Sequence, residues 1–237
     1  MNGVQAKRLI LILNGKGGVG KSFFAVNFVQ YLKDKNISHT ACDCDNENST
    51  LKRFHGEAVE FMDLSRPRAL DAMFRAFEKT DLVVVDCRAA STEVFFDYFD
   101  LIDLRPTLEI LSAALTLVIP VNHEADSVDQ LQRIVNQLGK ACAYVVLRNE
   151  VHDDTFAVYE QSVVRQRLKK DLGMKEITMK KLQPWLVEEL SLKNLPITED
   201  VKHGSIYLLD RQRLQTWQRK LYTEIESAAD LLLPQKS

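Results

Sequence analysis

The sequence predicts an α/β chain whose mostly parallel sheet is flanked by helices on both faces. Three observations predict it. Continuous apolar runs recur, as in strands buried on both faces: "RLILIL" (8–13), "DLVVVD" (81–86), "LTLVIPV" (115–121) and "ACAYVVL" (141–147). Segments with apolar residues at helical spacing fall between them, the order of a sheet built from crossover connections. The 237 residues show no linker, repeat or low-complexity tract, so residues 1–237 are read as one domain.

Each element follows from its pattern. After the first strand, residues 21–35 read as a helix carrying Phe24, Phe28, Tyr31 and Leu32 on one face. "ISHTACD" (37–43) is a second strand, and residues 68–79 form a helix with Leu70, Met73, Phe74 and Phe77 together. The strands at 81–86, 115–121 and 141–147 follow, the last two separated by a helix over 126–139. A helix over 156–171, a weaker strand in "KEITMKKL" (175–182), a helix over 185–193 and a terminal helix over 206–232 complete the order.

Composition narrows the function classes. Charged residues make up 27% and net charge is −2, so no global charge points to nucleic acid or membrane. The four cysteines, Cys42, Cys44, Cys87 and Cys142, form no C-x-x-C pair, which argues against zinc. They read as small apolar residues in a reducing cytoplasm. Lys7 and Arg8 precede only five apolar residues, and no run reaches the roughly 18 needed to span a bilayer. A cytoplasmic chain with no membrane contact is expected.

"LNGKGGVGKSFFAVNF" (13–28) carries the chemistry. Gly15, Gly20, Lys21 and Ser22 match G-x-x-x-x-G-K-[ST] at a strand-to-helix junction. Gly15, Lys16, Gly17, Gly18, Val19, Gly20, Lys21, Ser22 and Phe23 therefore form the expected phosphate-binding segment. Small residues let backbone N–H groups face phosphates, Lys21 reaches the β- and γ-phosphates, and the Ser22 hydroxyl takes Mg²⁺. The following helix adds its positive N-terminal end.

"KGGVGKS" has a second lysine and resembles the deviant Walker A motif of the ParA/MinD family of P-loop ATPases. The resemblance implies ATP and Mg²⁺ as ligands and an ATP-dependent homodimer. Lys21 would hold its own phosphates while Lys16 reaches the partner's nucleotide. "CDCDNENSTL" (42–51) resembles the family's first acidic switch, with Asp45 positioning the attacking water and Asp43 near the metal's outer shell. "VVVDCRAAS" (83–91) resembles the Walker B strand and second switch, with Asp86 toward Mg²⁺. Arg88 follows where the family often has proline. Asn149, after "AYVVL", and Leu182 and Pro184, in "KKLQP", resemble the adenine pocket. The N-K-x-D guanine reader of related GTPases is absent.

The branch follows from finer likeness. The chain resembles a short ParA without a helix-turn-helix extension, and it lacks the basic tail of a MinD-like membrane cycle. "DCDNENSTLKRF", "DCRAASTEVFFDYF" and "DRQRLQTWQRKLYTEIESAADLL" resemble TraL, the deviant Walker A proteins of conjugative plasmids. Between residues 165 and 181, Arg165, Arg167, Lys169, Lys170, Lys175, Lys180 and Lys181 face only Asp171 and Glu176, a local charge of +5. Such a patch suits nonspecific contact with double-stranded DNA. Arg211, Arg213, Arg219 and Lys220 form a second cluster. The leading expectation is a slow, partner-stimulated ATPase that partitions or positions plasmid DNA with a ParB-like partner. The alternative is a TraL-like switch that acts on a transfer-apparatus protein and ignores DNA.

Overall fold

The computed structural model describes residues 7–150, 155–202 and 206–235. Its strands are β1 (Lys7–Ile12), β2 (Thr40–Asp43), β3 (Val59–Phe61), β4 (Leu82–Asp86), β5 (Ala113–Val121), β6 (Ala143–Asn149) and β7 (Lys175–Met179). They form one sheet in the order β3-β2-β4-β1-β5-β6-β7, each neighbouring pair parallel. The helices are α1 (Lys21–Asp34), α2 (Thr50–His55), α3 (Asp71–Arg75), α4 (Thr92–Leu101), α5 (Leu104–Ile110) and α6 (Ala125–Leu138). They continue with α7 (Ala157–Glu160), α8 (Val163–Asp171), α9 (Pro184–Lys193), α10 (Ile197–Lys202), α11 (Leu208–Ser227) and α12 (Ala229–Leu232).

Strand alternation divides the core. Leu9 and Leu11 pack with α4, α6 and α8 on one face, while Ile10 and Ile12 pack with α1, α9 and α11 on the other. Both faces are therefore covered, and the strands read as continuous apolar runs. Cys42, Cys44 and Cys87 lie buried in the first cluster as apolar filler. Because β1 is central, with strands added on both sides, its C-terminal end is the crevice where such sheets bind ligands. There Ile12, Asp43 and Asp86 stand side by side in register.

Several elements differ from the sequence expectation, each for a local reason. The expected strand at 37–43 begins at Thr40, after Asn36 turns the chain with φ 53°. The expected helix at 68–79 starts at Asp71, since Arg68 has φ 62°, and tightens to a 3₁₀ turn over Ala76–Glu78. The expected helix at 156–171 is two, because the Ser162 hydroxyl accepts the Arg165 N–H at 3.2 Å and starts α8 afresh. The terminal helix breaks at Ala228. Edge strand β3, with three residues, is too short to show a period.

Candidate nucleotide site

The segment between β1 and α1 wraps a cavity of about 310 Å³ lined by Gly17, Gly18, Gly20, Lys21, Ser22, Phe23, Asp45, Asn48, Thr50, Cys87, Arg88 and Ala89. Two glycines are required by geometry. Gly18 and Gly20 have φ 76° and 93°, and a Cβ on Gly20 would also run into the Asn149 side-chain amide. The loop is held from outside: Asn149 Nδ2 donates to the Val19 carbonyl at 2.9 Å. Asn14 Nδ2 donates to the carbonyls of Pro120 and Ser127 at 2.8 and 3.1 Å, and its Oδ1 accepts the Lys16 N–H at 2.9 Å. Sequence reasoning missed Asn14, since an asparagine at a strand end carries no pattern of its own.

The two lysines have opposite surroundings. Lys21 is buried, and its Nζ donates to the Lys16 carbonyl at 2.9 Å. Burial lowers its pKa, opposed by the nearby Asp86, Cys87 and Asp45. Lys16 lies at the rim, where Nζ meets Asp126 Oδ2 at 3.1 Å and Glu124 Oε2 at 3.6 Å. The hydrogen bond to Asp126 leads the causes that raise its pKa. No sequence signal marked those acids.

The three aspartates separate by their partners. Asp43 is fully buried, and backbone amides take both oxygens: Asp45 N–H at 2.9 Å and Lys52 N–H at 3.0 Å. It folds the 43–52 turn and anchors α2; burial raises its pKa and those amides oppose the rise. Asp45 is half-buried at the cavity, accepting the N–H groups of Glu47 and Asn48 at 2.9 and 3.3 Å. Burial pushes its pKa up, but those bonds, the Asn48 side chain and Lys21 outweigh it and leave it low. Asp45 thus faces the cavity as a carboxylate.

Asp86 is buried, and neither carboxylate oxygen has a hydrogen-bond partner among the described residues. Burial first, then repulsion from Asp43, pushes its pKa up to about 8, with Ser22 and Lys21 opposing. An orphaned carboxylate at this depth is costly unless a cation or its water shell satisfies it. The residues present therefore fit Mg²⁺ on the Ser22 and Asp86 side.

The structure gives the other expected residues the following neighbours. Leu182 packs in the core beside α1, and Pro184 opens α9 as its first residue. Of the base-pocket set, Asn149 bonds to the phosphate loop. In the basic stretch, Arg165 pairs with Glu176 at 2.8 Å, Lys169 with Glu176 at 3.0 Å, Lys180 with Glu150 at 2.7 Å and Lys175 with Asp230 at 3.6 Å. Arg167 Nη1 donates to Asn136 Oδ1 at 2.9 Å. Lys170 and Lys181 have no acidic partner among the described residues. Lys180 and Lys181 join Arg213 and Lys220 around a groove of about 480 Å³ floored by Leu182, Leu186 and Trp217, uniting the end of the first basic cluster with part of the second.

A glycine-rich loop at the C-terminal end of the central strand, a buried lysine and two acidic loops define a P-loop nucleotide-binding fold. The sequence profile of the CobQ/CobB/MinD/ParA nucleotide binding domain matches residues 10–183, and the chain belongs to that family. It is 23% identical over 228 residues to Protein MobD of Acidithiobacillus ferrooxidans, covering 94% of this chain and 98% of MobD. It is 24% identical over 242 residues to a Protein TraL of Escherichia coli, covering 94% of this chain and 99% of TraL. Among solved structures, the septum site-determining protein MinD of Pyrococcus horikoshii, complexed with Mg-ADP, shares the fold: TM-score 0.52 and 16% identity over 94% of this chain and 97% of that one. No described helix is long and apolar enough to cross a membrane.

Proposed function

We propose that this chain is an ATP-hydrolysing dimer switch that acts on a protein of a conjugative-transfer or mobilisation apparatus. The observation that carries it is the 310 Å³ cavity, where Lys21, Ser22 and Asp45 converge on the loop backbone above the orphaned Asp86. Lys21 and the amides of Gly17, Gly18 and Val19 bind the phosphates. Ser22 and Asp86 would hold Mg²⁺, which would supply positive charge to offset that of the phosphates, and Asp43 keeps the Asp45 turn in shape. Asp45 orients the attacking water. Lys16 leaves Glu124 and Asp126 and completes the partner's site. The triphosphate charge makes two facing lysines tolerable, so ligand and dimer stabilise each other.

The transfer role is supported by end-to-end likeness to TraL and MobD and by internal pairing of most of the basic stretch. A ParA-like DNA role is a second reading, favoured by the groove that Lys180, Lys181, Arg213 and Lys220 share. Binding to a random duplex with ATP·Mg²⁺, ADP or no nucleotide, at two salt concentrations, separates them. The transfer reading expects none in any state. ATP-dependent, salt-sensitive binding, lost when Lys181 and Lys220 are neutralised, establishes the DNA reading instead.

A further inference from the structure

Arg88 stands where the family pattern favours proline, and the fold gives it neither an anion nor freedom to leave. Its side chain lines the phosphate cavity beside Lys21, Ser22 and Asp45. Among the described residues it forms no ion pair; its one side-chain bond is a long contact from Nη1 to Asn46 Oδ1, 3.4 Å. Its Nε is buried with no acceptor among the described residues. A guanidinium half out of water with a buried donor unfilled is costly, and its planar fork matches phosphate oxygens.

The backbone around it is fixed by the phosphate loop. The Cys87 N–H donates to the Ile12 carbonyl at 3.3 Å and the Ala90 N–H to the Gly15 carbonyl at 3.0 Å. The Ser91 hydroxyl donates to the Arg88 carbonyl at 2.8 Å. Ala90 is held at φ 56°, a left-handed conformation unfavourable for a residue with a Cβ. Asn46 belongs to the turn that presents Asp45, so Arg88 spans both acidic loops.

We infer that Arg88 is a catalytic residue that binds the terminal phosphate of ATP from within the same chain. The inference rests on the ATPase reading above. In the step it assists, the water oxygen bonds to the γ-phosphorus as the bond to the β–γ bridging oxygen breaks. ADP leaves with the electron pair, and the water's protons end on inorganic phosphate and solvent. Arg88 moves no proton; it stabilises charge on the γ-phosphate oxygens. ADP lacks that group, so Arg88 also lets the chain tell ATP from ADP.

The test titrates wild type, Arg88→Ala and Arg88→Lys with a slowly hydrolysed fluorescent ATP analogue and with fluorescent ADP, and follows single-turnover hydrolysis of ATP. Arg88→Ala is expected to weaken the ATP analogue about 10-fold, leave ADP within about twofold, and slow hydrolysis by about 10². Arg88→Lys is expected to recover part of the ATP affinity, as a point charge without the fork. An Arg88→Ala chain that keeps wild-type preference for ATP overturns the inference and leaves the ATPase reading intact. Equal loss of both nucleotides also overturns it, because Arg88 then only shapes the loop. A wild type that binds neither nucleotide sinks the ATPase reading and the inference together.

Discussion

The phosphate-loop end of the sheet and the β7 flank carry similar charge in opposite states. At the loop, Asp86 has both oxygens unfilled and Arg88 lacks an anionic partner among the described residues. On the flank, Glu176 alone accepts from Arg165, Lys169 and the Tyr159 hydroxyl, at 2.8, 3.0 and 2.6 Å. A buried ionisable group without a partner is retained where a ligand completes it; a paired one is complete already. Most of the +5 stretch is thus paired within the fold, whereas Asp86 and Arg88 at the cavity lack such partners among the described residues.

Substitutions at the two ends test that contrast. Removing the cavity's central cation has the largest effect: Lys21→Ala is expected to weaken ATP at least ~100-fold in a calorimetric titration, with the fold intact by circular dichroism. On the flank, Glu176→Gln breaks a completed cluster. Burial raises the Glu176 pKa, but Arg165, Tyr159 and Lys169 outweigh it and hold it at about 2, below the ordinary value of 4.5. A depressed folded-state value stabilises above the unfolded pKa, so the substitution is expected to cost about 1–3 kcal/mol at pH 7. That cost should shrink as pH falls from 4.5 towards 2, which urea melts at several pH values measure.

Neutralising the unpaired carboxylate should do the reverse. Asp86→Asn is expected to stabilise the nucleotide-free chain by about 1 kcal/mol while abolishing the extra thermal stability conferred by nucleotide with Mg²⁺. A destabilised Asp86→Asn chain would erase the distinction between the two ends. The smallest effect on the fold belongs to Lys16, whose partners Glu124 and Asp126 have 42% and 71% exposed side chains. Lys16→Ala should leave the melting temperature unchanged and remove ATP-dependent dimerisation in analytical ultracentrifugation.

How much was legible follows the same division. The placement of the phosphate loop, Asp45 and Asp86 at the C-terminal ends of neighbouring strands was readable, because each motif pairs a strand pattern with particular residue types at its end. Strands β1, β4, β5 and β6 were readable because a doubly covered sheet needs unbroken apolar runs. The pairing of Arg165 and Lys169 with Glu176 was not, since a local charge count cannot show which side chains a strand and a helix bring together. Asn14, which braces the loop through Pro120 and Ser127, was hidden because its partners lie more than 100 residues away. Helix α4 was overlooked although Phe95, Phe96 and Phe99 carry helical spacing and are buried, whereas β3 was too short to reveal itself.

The most direct measurement is the light-scattering mass of Asp45→Ala, which removes the carboxylate assigned to orient water, with ATP·Mg²⁺ and with ADP. A dimer switch has a mass of two chains with ATP and one with ADP, and Lys16→Ala introduced into the same background returns the ATP sample to one. A single-chain mass with ATP, when titration of the same sample shows the nucleotide bound, would contradict the switch.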